Sequence, residues 1–542
     1  MPIRFNLQKN YKLYSANYQI KLPFDMELSV PADDPVRLVN AFVEGMDLSE
    51  LYDTYDRIRK NQATPGQLLK IMIYAAMECM YSSREIEQAC RRDINFMYLL
   101  EGAPAPDHAT IARFMSLRFS ECSRKFISEV VSILYELGEI SGKTVFIDGT
   151  KIEAYANKYT FVWKRSTIKS QKKLFEKIAL FTADCERAYG FSIVYDNKIS
   201  KHTLLRLKKE LLKVRASEGI AFTFGARPRK PRIQKDVEQV DAFLKKLHEY
   251  DEKLEICGER NSYSKTDHDA TFMRLKEDAM LNGQLKPAYN VQHAVDAEYI
   301  TWVGISAHPT DTTTLVPLLK EMEEHLPFKY REIVADAGYE SEENYVFLEK
   351  NGQTAFIKPA NYKISRTRNY REDISRRENM AYDEQRDCYI CRDGRELPVK
   401  TVRTEKTRTG YSRTVTIYEC KSCKKCPYKT KCIRGNNSKT PMSQRKKVLY
   451  VSKEMKMQQE ACLRRITSDY GIQLRMNRSI QAEGSFAVIK EDMGFRQYRY
   501  RGKKNVLAQS ILTAIAHNIN RLHFKIQGNR IGKHLIPVPE TA

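Results

Sequence analysis

No stretch of the sequence approaches the ~20 consecutive apolar residues that are needed to span a bilayer. The first residues, MPIRFNLQKNYKLYS, lack the apolar core of a secretory signal, so we expect an intracellular protein. There is no internal repeat of solenoid length. Hydrophobic residues make up 42% of the chain and aromatic residues 10%, which excludes a disordered or collagen-like protein. The 542 residues are enough for two to four domains with large cores.

Acidic residues are too few to balance the basic ones. The chain has 68 Asp and Glu against 91 Lys and Arg, which gives a formal net charge of +23. An excess of this size favours polyanionic partners and says little about fold. The basic residues are spread through a chain that is rich in core positions, unlike those of a basic tail. The composition therefore indicates an enzyme that acts on nucleic acid.

The segment up to about residue 140 is predicted to be all helical. Thr64 and Gln67 have the spacing of a helix-capping box. After a break at residues 102–106, a short helix carries a polar and basic face, composed of His108, Thr110, Arg113 and Arg118. This pattern is typical of a helix-turn-helix that reads DNA, but it fits an ordinary helical bundle with a solvated face equally well.

Beyond the helical segment, short strands predict a mixed α/β sheet. A β-branched run ends at Asp148, residues 288–306 have the pattern of an antiparallel hairpin, and a further short strand ends at Asp336. Asp311 stands where the N-cap of the following helix is expected. Residues 164–265 are charged and helical, and we interpret them as an insertion into the sheet domain.

Three acidic residues are candidates for a metal centre. Asp148 and Asp336 end predicted strands, and Glu483 lies on a later predicted helix. Sites in α/β sheets lie at the carboxyl ends of neighbouring strands. Phosphoryl transfer uses two divalent cations, and carboxylate oxygens are the ligands that Mg²⁺ prefers. Each aspartate taken alone fits a turn residue better, but the pair in so basic a chain favours a metal site.

Six of the twelve cysteines fall together in a polar segment, namely Cys388, Cys391, Cys420, Cys423, Cys426 and Cys432. Their C-x2-C spacing predicts a structural zinc site, because Zn²⁺ takes four thiolates tetrahedrally. Six candidates exceed one site, so the spacing leaves the four ligands open. Iron–sulfur proteins share part of this spacing, but the usual fourth Cys-Pro position does not match. A segment this polar does not favour free buried thiols.

Two further groups of cations are candidates for DNA contacts. Lys424 and Lys425 lie between the clustered cysteines. Arg496, Arg499 and Arg501 belong to a run in which aromatic and basic residues alternate. Such a run suits contacts with the nucleic-acid backbone and stacking on bases, although a solvated helix end would look similar.

Several blocks resemble the DDE transposases of bacterial insertion sequences, and together they extend over nearly the whole chain. The blocks are Asp33–Arg37, Ala105–Phe114, Asp148–Ala154, Tyr289–Asp296, Ala335–Tyr339 and Ala482–Lys490. Each block is weak alone, but their order is specific. The resemblance implies an InsH-like helical N-terminal domain, a ribonuclease-H-like α/β catalytic core and a cysteine-rich insert.

The resemblance also implies the division of the chain. The expected segments are an all-α DNA-binding domain (1–140), three parts of the core (141–163, 266–365 and 455–542), a helical insertion (164–265) and a basic, cysteine-rich zinc-binding insert (366–454).

The resemblance gives the three acids a role. Asp148, Asp336 and Glu483 would bind two Mg²⁺ or Mn²⁺ ions, and Lys490 would act beside them on DNA. Glu483 and Lys490 match a related pattern in which Tyr, Arg, Glu and Lys have fixed spacing.

The same pattern is broken on the other side of the last acid. Ser479 and Met476 stand at the expected Arg and Tyr positions, and Arg478, a candidate DNA contact, is one place off.

The implied activity is metal-dependent cleavage at the element ends and attack of the freed 3′-hydroxyl on target DNA. We expect a homodimer on double-stranded DNA, in the bacterial cytoplasm at the nucleoid and without a membrane partner. Two alternatives are a DNA-binding regulator built on an inactivated core and a nuclease without strand transfer.

Overall fold

The computed structural model describes residues 29–57, 61–193, 200–224, 230–275, 283–435 and 440–533. The helices are α1 (Pro35–Glu44), α2 (Ser49–Asp53), α3 (Pro65–Met77), α4 (Ser83–Arg92), α5 (Ile94–Leu100), α6 (His108–Arg113), α7 (Ser120–Glu136), α8 (Lys164–Tyr189), α9 (Lys201–Ser217), α10 (Arg232–Cys257), α11 (Leu315–His325), α12 (Glu342–Lys350), α13 (Arg368–Arg371), α14 (Lys429–Cys432), α15 (Lys453–Thr467), α16 (Asp469–Arg478), α17 (Gly484–Ala487) and α18 (Lys503–Gln527).

The strands are β1 (Thr144–Glu153), β2 (Phe161–Trp163), β3 (Ser262–Ser264), β4 (Thr271–Arg274), β5 (Leu285–Asp296), β6 (Tyr299–Ser306), β7 (Glu332–Ala335), β8 (Thr354–Ile357), β9 (Ala381–Asp383), β10 (Cys388–Ile390), β11 (Glu396–Lys406), β12 (Ser412–Glu419) and β13 (Val448–Val451). No helix of the described ranges is long and apolar enough to cross a membrane.

The N-terminal helices pack around α3, which is buried along almost its whole length. The predicted capping box is confirmed, since the Thr64 hydroxyl accepts from the Gln67 amide at 3.2 Å and the Gln67 side chain accepts from Thr64 N–H at 2.9 Å. A π-helical turn, Phe114–Phe119, joins α6 to α7. This region packs against α18, the helix at the other end of the described chain.

The mixed sheet is confirmed, and β1 lies in its middle. β1 pairs antiparallel with β5 and parallel with β7, and β7 pairs parallel with β8. On its other side, β5 pairs antiparallel with β4 and with β6, which forms the predicted hairpin. Parallel and antiparallel neighbours therefore meet at β1.

Two smaller units branch from this sheet domain. The helices α8, α9 and α10 share their own apolar core, which includes Leu174, Ile178, Leu204, Leu207 and Val240. The strands β9 to β13 form a five-stranded antiparallel sheet in the cysteine-rich part of the chain. Each unit is packed around an apolar cluster of its own.

Two local predictions were wrong. Asp148 does not end its strand, because β1 continues to Glu153 along β5 after its pairing with β7 has stopped. Asp311 is not the N-cap of α11. That helix follows Thr314, and Asp311 begins a short 3₁₀ turn while its carboxylate accepts hydrogen bonds from β5 side chains.

Candidate active site

The register of the parallel pair brings two of the predicted acids together. Ile147 of β1 is opposite Ala335 of β7, and this is the last pair of that ladder. Asp148 and Asp336 are the next residue on each strand. Asp336 turns away into a 3₁₀ turn, where its carboxylate accepts from Gly338 N–H at 2.7 Å. The two aspartates thus lie side by side on neighbouring strands, where the parallel pairing of β1 and β7 stops.

The third acid comes from an unbroken helical segment that lies across β1 and β5. The segment consists of α16, a π-helical turn (Ser479–Glu483), α17 and a second π-helical turn (Val488–Asp492). The first π turn packs against β1 and β5. Insertions of this kind are frequent at functional sites because they shift the phase of the side chains that follow.

Arg478 joins the third acid to the first. Its guanidinium lies 2.8 Å from Oε1 of Glu483 and 3.4 Å from Oδ2 of Asp148. Residues five apart share a face in a π turn, so the bulge places Arg478 where a residue four positions before Glu483 would lie in an α-helix. The arginine that looks one place off in the sequence therefore faces the site. The side chain of Arg478 is 15% exposed and that of Glu483 is 55% exposed.

Lys490 lies close to β1, near the same group of residues. Its ammonium donates to the hydroxyl of Thr150 at 2.8 Å, and its side chain is buried. Thr150 and Asp148 are two residues apart on β1 and so point to one face of the sheet. His293, opposite Asp148 on β5, stacks on Phe486 at 4.0 Å, and burial lowers its pKa to about 3, which keeps it neutral.

A fourth acid, Asp311, lies against the same strand ends. Its Oδ1 accepts from the side-chain amides of Asn290 at 2.7 Å and Gln292 at 3.1 Å. A Cβ added at Gly149 would lie 3.0 Å from Asp311 Oδ1, and one added at Gly338 would lie 3.2 Å from Oδ2. The carboxylate thus fills the space left by two glycines that neighbour Asp148 and Asp336. The sequence marked Asp311 only as a helix cap.

Cations surround this acidic group beyond β8. Lys358 and Arg475 lie over the ring of Tyr362, at 5.8 and 5.2 Å from its centroid. Burial lowers the pKa of Lys358, and the nearby charges of Lys363, Arg478 and Arg475 lower it further. The carboxylate of Asp336 acts in the opposite direction and raises the pKa of Lys358, so this lysine lies near both Asp336 and several cations. Lys358, Lys363 and Arg475 were missed from the sequence, because they are scattered over more than one hundred positions.

The basic face predicted in the N-terminal region is partly engaged within the protein. His108 contacts the carboxylate of Glu87 at 2.8 Å. Arg118 lies 4.5 Å from the ring centroid of Tyr55 and donates to the carbonyl of Thr54.

The centre of the face is more open. Arg113 is exposed, and its side chain makes one long hydrogen bond of 3.4 Å to the hydroxyl of Thr110. Of the four predicted residues, Arg113 therefore has the freest cationic group.

The C-terminal cations are at the surface, whereas an aromatic residue among them is not. Arg499 and Arg501 are exposed, and Arg501 lies over Tyr155 at 5.0 Å. Arg496 forms an ion pair with Glu491. Tyr498 is fully buried and hydrogen-bonds Ser510 at 2.8 Å, so the prediction that this run stacks its aromatics on bases is wrong for Tyr498.

The clustered cysteines divide into a group of five and one outlier. Burial raises the pKa of Cys432, and the nearby thiols of Cys391, Cys423 and Cys426 raise it further against the effect of Lys447.

Cys420 belongs to the same group. Burial and a hydrogen bond with Cys423 raise its pKa to about 11. Cys388 lies instead among charged side chains, including Arg386 and Glu396. Lys424 and Lys425 are exposed beside the five thiols.

No three His, Cys, Asp or Glu side chains of the described ranges are arranged to hold a metal ion. The donor chemistry at the strand ends nevertheless fits a hard divalent cation, because the donors are carboxylates. The guanidinium of Arg478 supplies the positive charge between Asp148 and Glu483. A cation that used both carboxylates would have to displace it.

Comparison with protein families gives two matches. Residues 390–523, which include Glu483, match the family described as a transposase DDE domain. Residues 24–117, which include three of the four residues of the predicted basic face, match a family described as a transposase domain. No significant match was found among curated proteins or solved structures. Both matches are to transposase domains, and together they support a DDE transposase of insertion-sequence type.

Proposed function

We propose that this transposase cleaves DNA at the ends of its element and joins the freed 3′-hydroxyl to target DNA. The observation that supports the proposal is that Asp148 and Asp336 follow the last residue pair of β1 and β7, while Arg478 contacts both Asp148 and Glu483. The sheet is compatible with a ribonuclease-H-like core, and we propose that the core has this fold.

The three acids and the nearby cations would have different roles in this reaction. Asp148, Asp336 and Glu483 would hold divalent cations, which when bound would activate the attacking oxygen and stabilise the leaving oxygen. The guanidinium of Arg478 offsets part of the negative charge of Asp148 and Glu483, and on DNA binding it would turn to a phosphate. Lys358 and Arg475 would bind the DNA backbone beside the acids, and Lys490 would fix β1 through Thr150.

The catalytic proposal is tested with purified full-length protein, DNA that carries an element end, and Mg²⁺ or Mn²⁺. We expect Asp148→Asn, Asp336→Asn and Glu483→Gln to retain DNA affinity and to lose cleavage, because they remove ligand charge and leave side-chain shape. Glu324→Gln, an exposed change on α11, is the matched control and should cleave like wild type. Cleavage by any of the three variants would remove that residue from the site.

The joined product separates transposition from the alternatives. A transposase gives a new phosphodiester bond between the element end and target DNA. Cleavage without a joined product would indicate a nuclease, and binding without cleavage would indicate a regulator.

We propose that the N-terminal helical region reads the element end and that Arg113 contributes most. Its guanidinium is exposed, whereas His108 contacts Glu87 and Arg118 donates to the carbonyl of Thr54. Arg113→Gln should lower the ratio of affinities for element-end and unrelated DNA, whereas Lys424→Gln or Lys425→Gln should lower both affinities about equally. An unchanged ratio in the Arg113 variant would place the reader elsewhere.

We also propose that the cysteine-rich segment holds one structural Zn²⁺ with ligands drawn from Cys391, Cys420, Cys423, Cys426 and Cys432. The support is the grouping of these five thiols, whose described arrangement would have to tighten around the ion. Thiolate ligation would add folding free energy to a small unit.

The matched pair of cysteine variants tests the zinc proposal. Elemental analysis of wild-type protein should give about one zinc per chain. Cys423→Ser should lose the metal and become protease-sensitive in residues 366–454, and Cys388→Ser should keep both the metal and the resistance. A metal-free wild-type protein that resists proteolysis would contradict the proposal.

The protein would act as a homodimer on DNA, in the bacterial cytoplasm. Two copies are the simplest way to hold two element ends at once, and sedimentation of the DNA complex would show whether one end-containing duplex recruits two chains.

A further inference from the structure

One half of α8 carries a regular stripe of cations. Arg165, Lys169, Lys173 and Lys177 follow one another at intervals of four residues, so they lie on one face of the helix. All four side chains are exposed, as is that of Lys172 beside them. Over 12 residues the stripe is about 18 Å long. None of these cations forms an ion pair with a residue in the described ranges.

Several cations elsewhere in the helical insertion are paired. Lys201 of α9 lies 2.5 Å from Asp251 of α10, and Lys208 lies 2.6 Å from Asp241. Further pairs within the unit are Arg232 with Asp184, Lys230 with Glu238 and Lys253 with Glu249. These five cations thus have an acidic partner within the unit, whereas the four stripe cations have none in the described ranges.

The stripe works against the stability of its own helix. Like charges four residues apart destabilise a helix by about 0.2–0.5 kcal/mol for each pair, and the stripe contains three such pairs in succession. The opposite face of α8 is already packed, with Leu174 and Ile178 in the apolar core. The folding of the insertion therefore gives no reason for these four cations, whereas an external anion would relieve their repulsion.

The stripe begins close to the sheet that carries the candidate active site. α8 starts directly after β2, where Lys164 N–H donates to the carbonyl of Asn261 at 2.9 Å. Phe161 of β2 packs on Phe272 of β4, with ring centroids 4.8 Å apart, and β4 pairs with β5 of the central sheet. A duplex that lay along α8 would therefore pass, at the start of the helix, close to the sheet that carries the candidate active site.

We propose that this stripe binds the phosphate backbone of double-stranded DNA without reading its sequence. The choice of DNA as the polyanion rests on the proposed function; the position and exposure of the charges do not. Evenly spaced, unpaired Lys and Arg side chains give a salt-dependent contact with phosphates.

The test compares two full-length variants with the same change in net charge. The stripe variant is Arg165→Gln, Lys169→Gln, Lys173→Gln and Lys177→Gln. The control variant is Lys209→Gln, Lys213→Gln, Lys245→Gln and Lys246→Gln, four exposed lysines on α9 and α10. Affinities for element-end DNA and for unrelated duplex DNA are measured over a range of salt concentrations, and circular dichroism verifies that both variants are folded.

We expect the stripe variant to bind both duplexes at least about tenfold more weakly at low salt. The slope of log K against log salt should become shallower by about 0.9 for each lost phosphate contact, while the ratio of the two affinities stays unchanged. The control variant should keep most of the wild-type slope.

Three outcomes would overturn the inference. Equal losses in the two variants would reduce the effect to net charge, and a changed affinity ratio would make the stripe a sequence reader. Wild-type affinity of the stripe variant would leave the stripe without a DNA contact, while the proposed function would stand. If wild-type protein itself failed to bind DNA, the proposed function would fail first.

Discussion

At the scale of the residue, Asp311 lies close to the candidate active site because two of its neighbours there are glycines. Its carboxylate reaches β1 and the turn after β7 because Gly149 and Gly338 leave room for it. Its partners Asn290 and Gln292 are buried amides on β5, which fix the orientation of the carboxylate. We propose that Asp311 is a positioning residue, which holds the turn of Asp336 and adds negative charge below the strand ends.

Asp311→Asn should separate charge from shape. The amide oxygen can still accept from Asn290, so the unfolding free energy should change by less than about 1.5 kcal/mol. Loss of the charge should weaken cation binding, which raises the Mg²⁺ concentration for half-maximal cleavage and lowers the rate roughly tenfold or more, equivalent to about 1.4 kcal/mol. A cation titration of the cleavage rate measures this effect. A purely structural role would lower stability without moving the midpoint of that titration.

At the scale of the element, the position of the helical segment that carries Arg478 and Glu483 depends on close backbone contact between α15 and α16. A Cβ at Gly471 would overlap the carbonyl oxygen of Arg465 and lie 2.7 Å from the Cα of Ile466. The turn between α15 and α16 is therefore compact enough to exclude any side chain at this point. Because α16 continues into the first π turn, its position sets where Glu483 meets β1 and β5.

Gly471→Ala should destabilise the protein by about 1–3 kcal/mol, since the backbone must move to admit the methyl group. Gly484→Ala is the matched control. Gly484 is helical and has no neighbour within 4 Å of an added Cβ, so this change should be neutral or stabilise by up to about 1 kcal/mol. Urea titration of both variants measures the difference. Equal stability of the two variants would show that the backbone between α15 and α16 can move to admit the methyl group at little cost.

At the scale of the whole molecule, α18 joins the N-terminal helices to the central sheet. It packs against α3 and α7 on one side and β6 on the other. The amide of Asn518 accepts from Ile300 N–H and donates to Ile300 C=O, both at 2.8 Å, which satisfies the backbone of β6. The transposase-domain match of the N-terminal region and the sheet that carries the acids are thus parts of one packed body.

A buried ion pair reinforces this junction. Lys525 of α18 lies 2.7 Å from Glu139, which also accepts from Tyr299 O–H at 2.7 Å. Burial alone would raise the pKa of Glu139, but the hydrogen bond from Lys525 lowers it below its ordinary value. Both side chains are almost fully buried.

Lys525→Met should cost about 3–5 kcal/mol at neutral pH, because it leaves the carboxylate of Glu139 buried without its counter-charge. The double variant Glu139→Gln/Lys525→Met should recover part of this loss, since no unpaired charge is left. Thermal unfolding of the single and double variants gives the comparison. A single variant as stable as wild type would mean that the pair contributes nothing to the junction.

The sequence by itself determined the elements and the class of the chain. Periodicity and caps were enough for α3, the hairpin of β5 and β6, and the strands before Asp148 and Asp336, because these signals are local. The order of weak sequence blocks was enough for the transposase family, and net charge was enough for a polyanionic partner. The C-x2-C spacing indicated a cysteine cluster, but spacing alone did not set Cys388 apart from the other five.

Only the tertiary structure decided which side chains meet. The register of Ile147 with Ala335 aligned the two aspartates, and a π turn brought Arg478 onto the face of Glu483 despite its displaced position in the sequence. Asp311 looked like a helix cap because a local pattern cannot show the amides of a distant strand competing for its carboxylate. Tyr498 looked like a stacking residue because its burial depends on α18 and β5. For the two aspartates, Asp311 and Tyr498 the reason is common: their partners are distant in sequence, and local patterns carry no information about such contacts. For Arg478, the sequence pattern did not show the π turn.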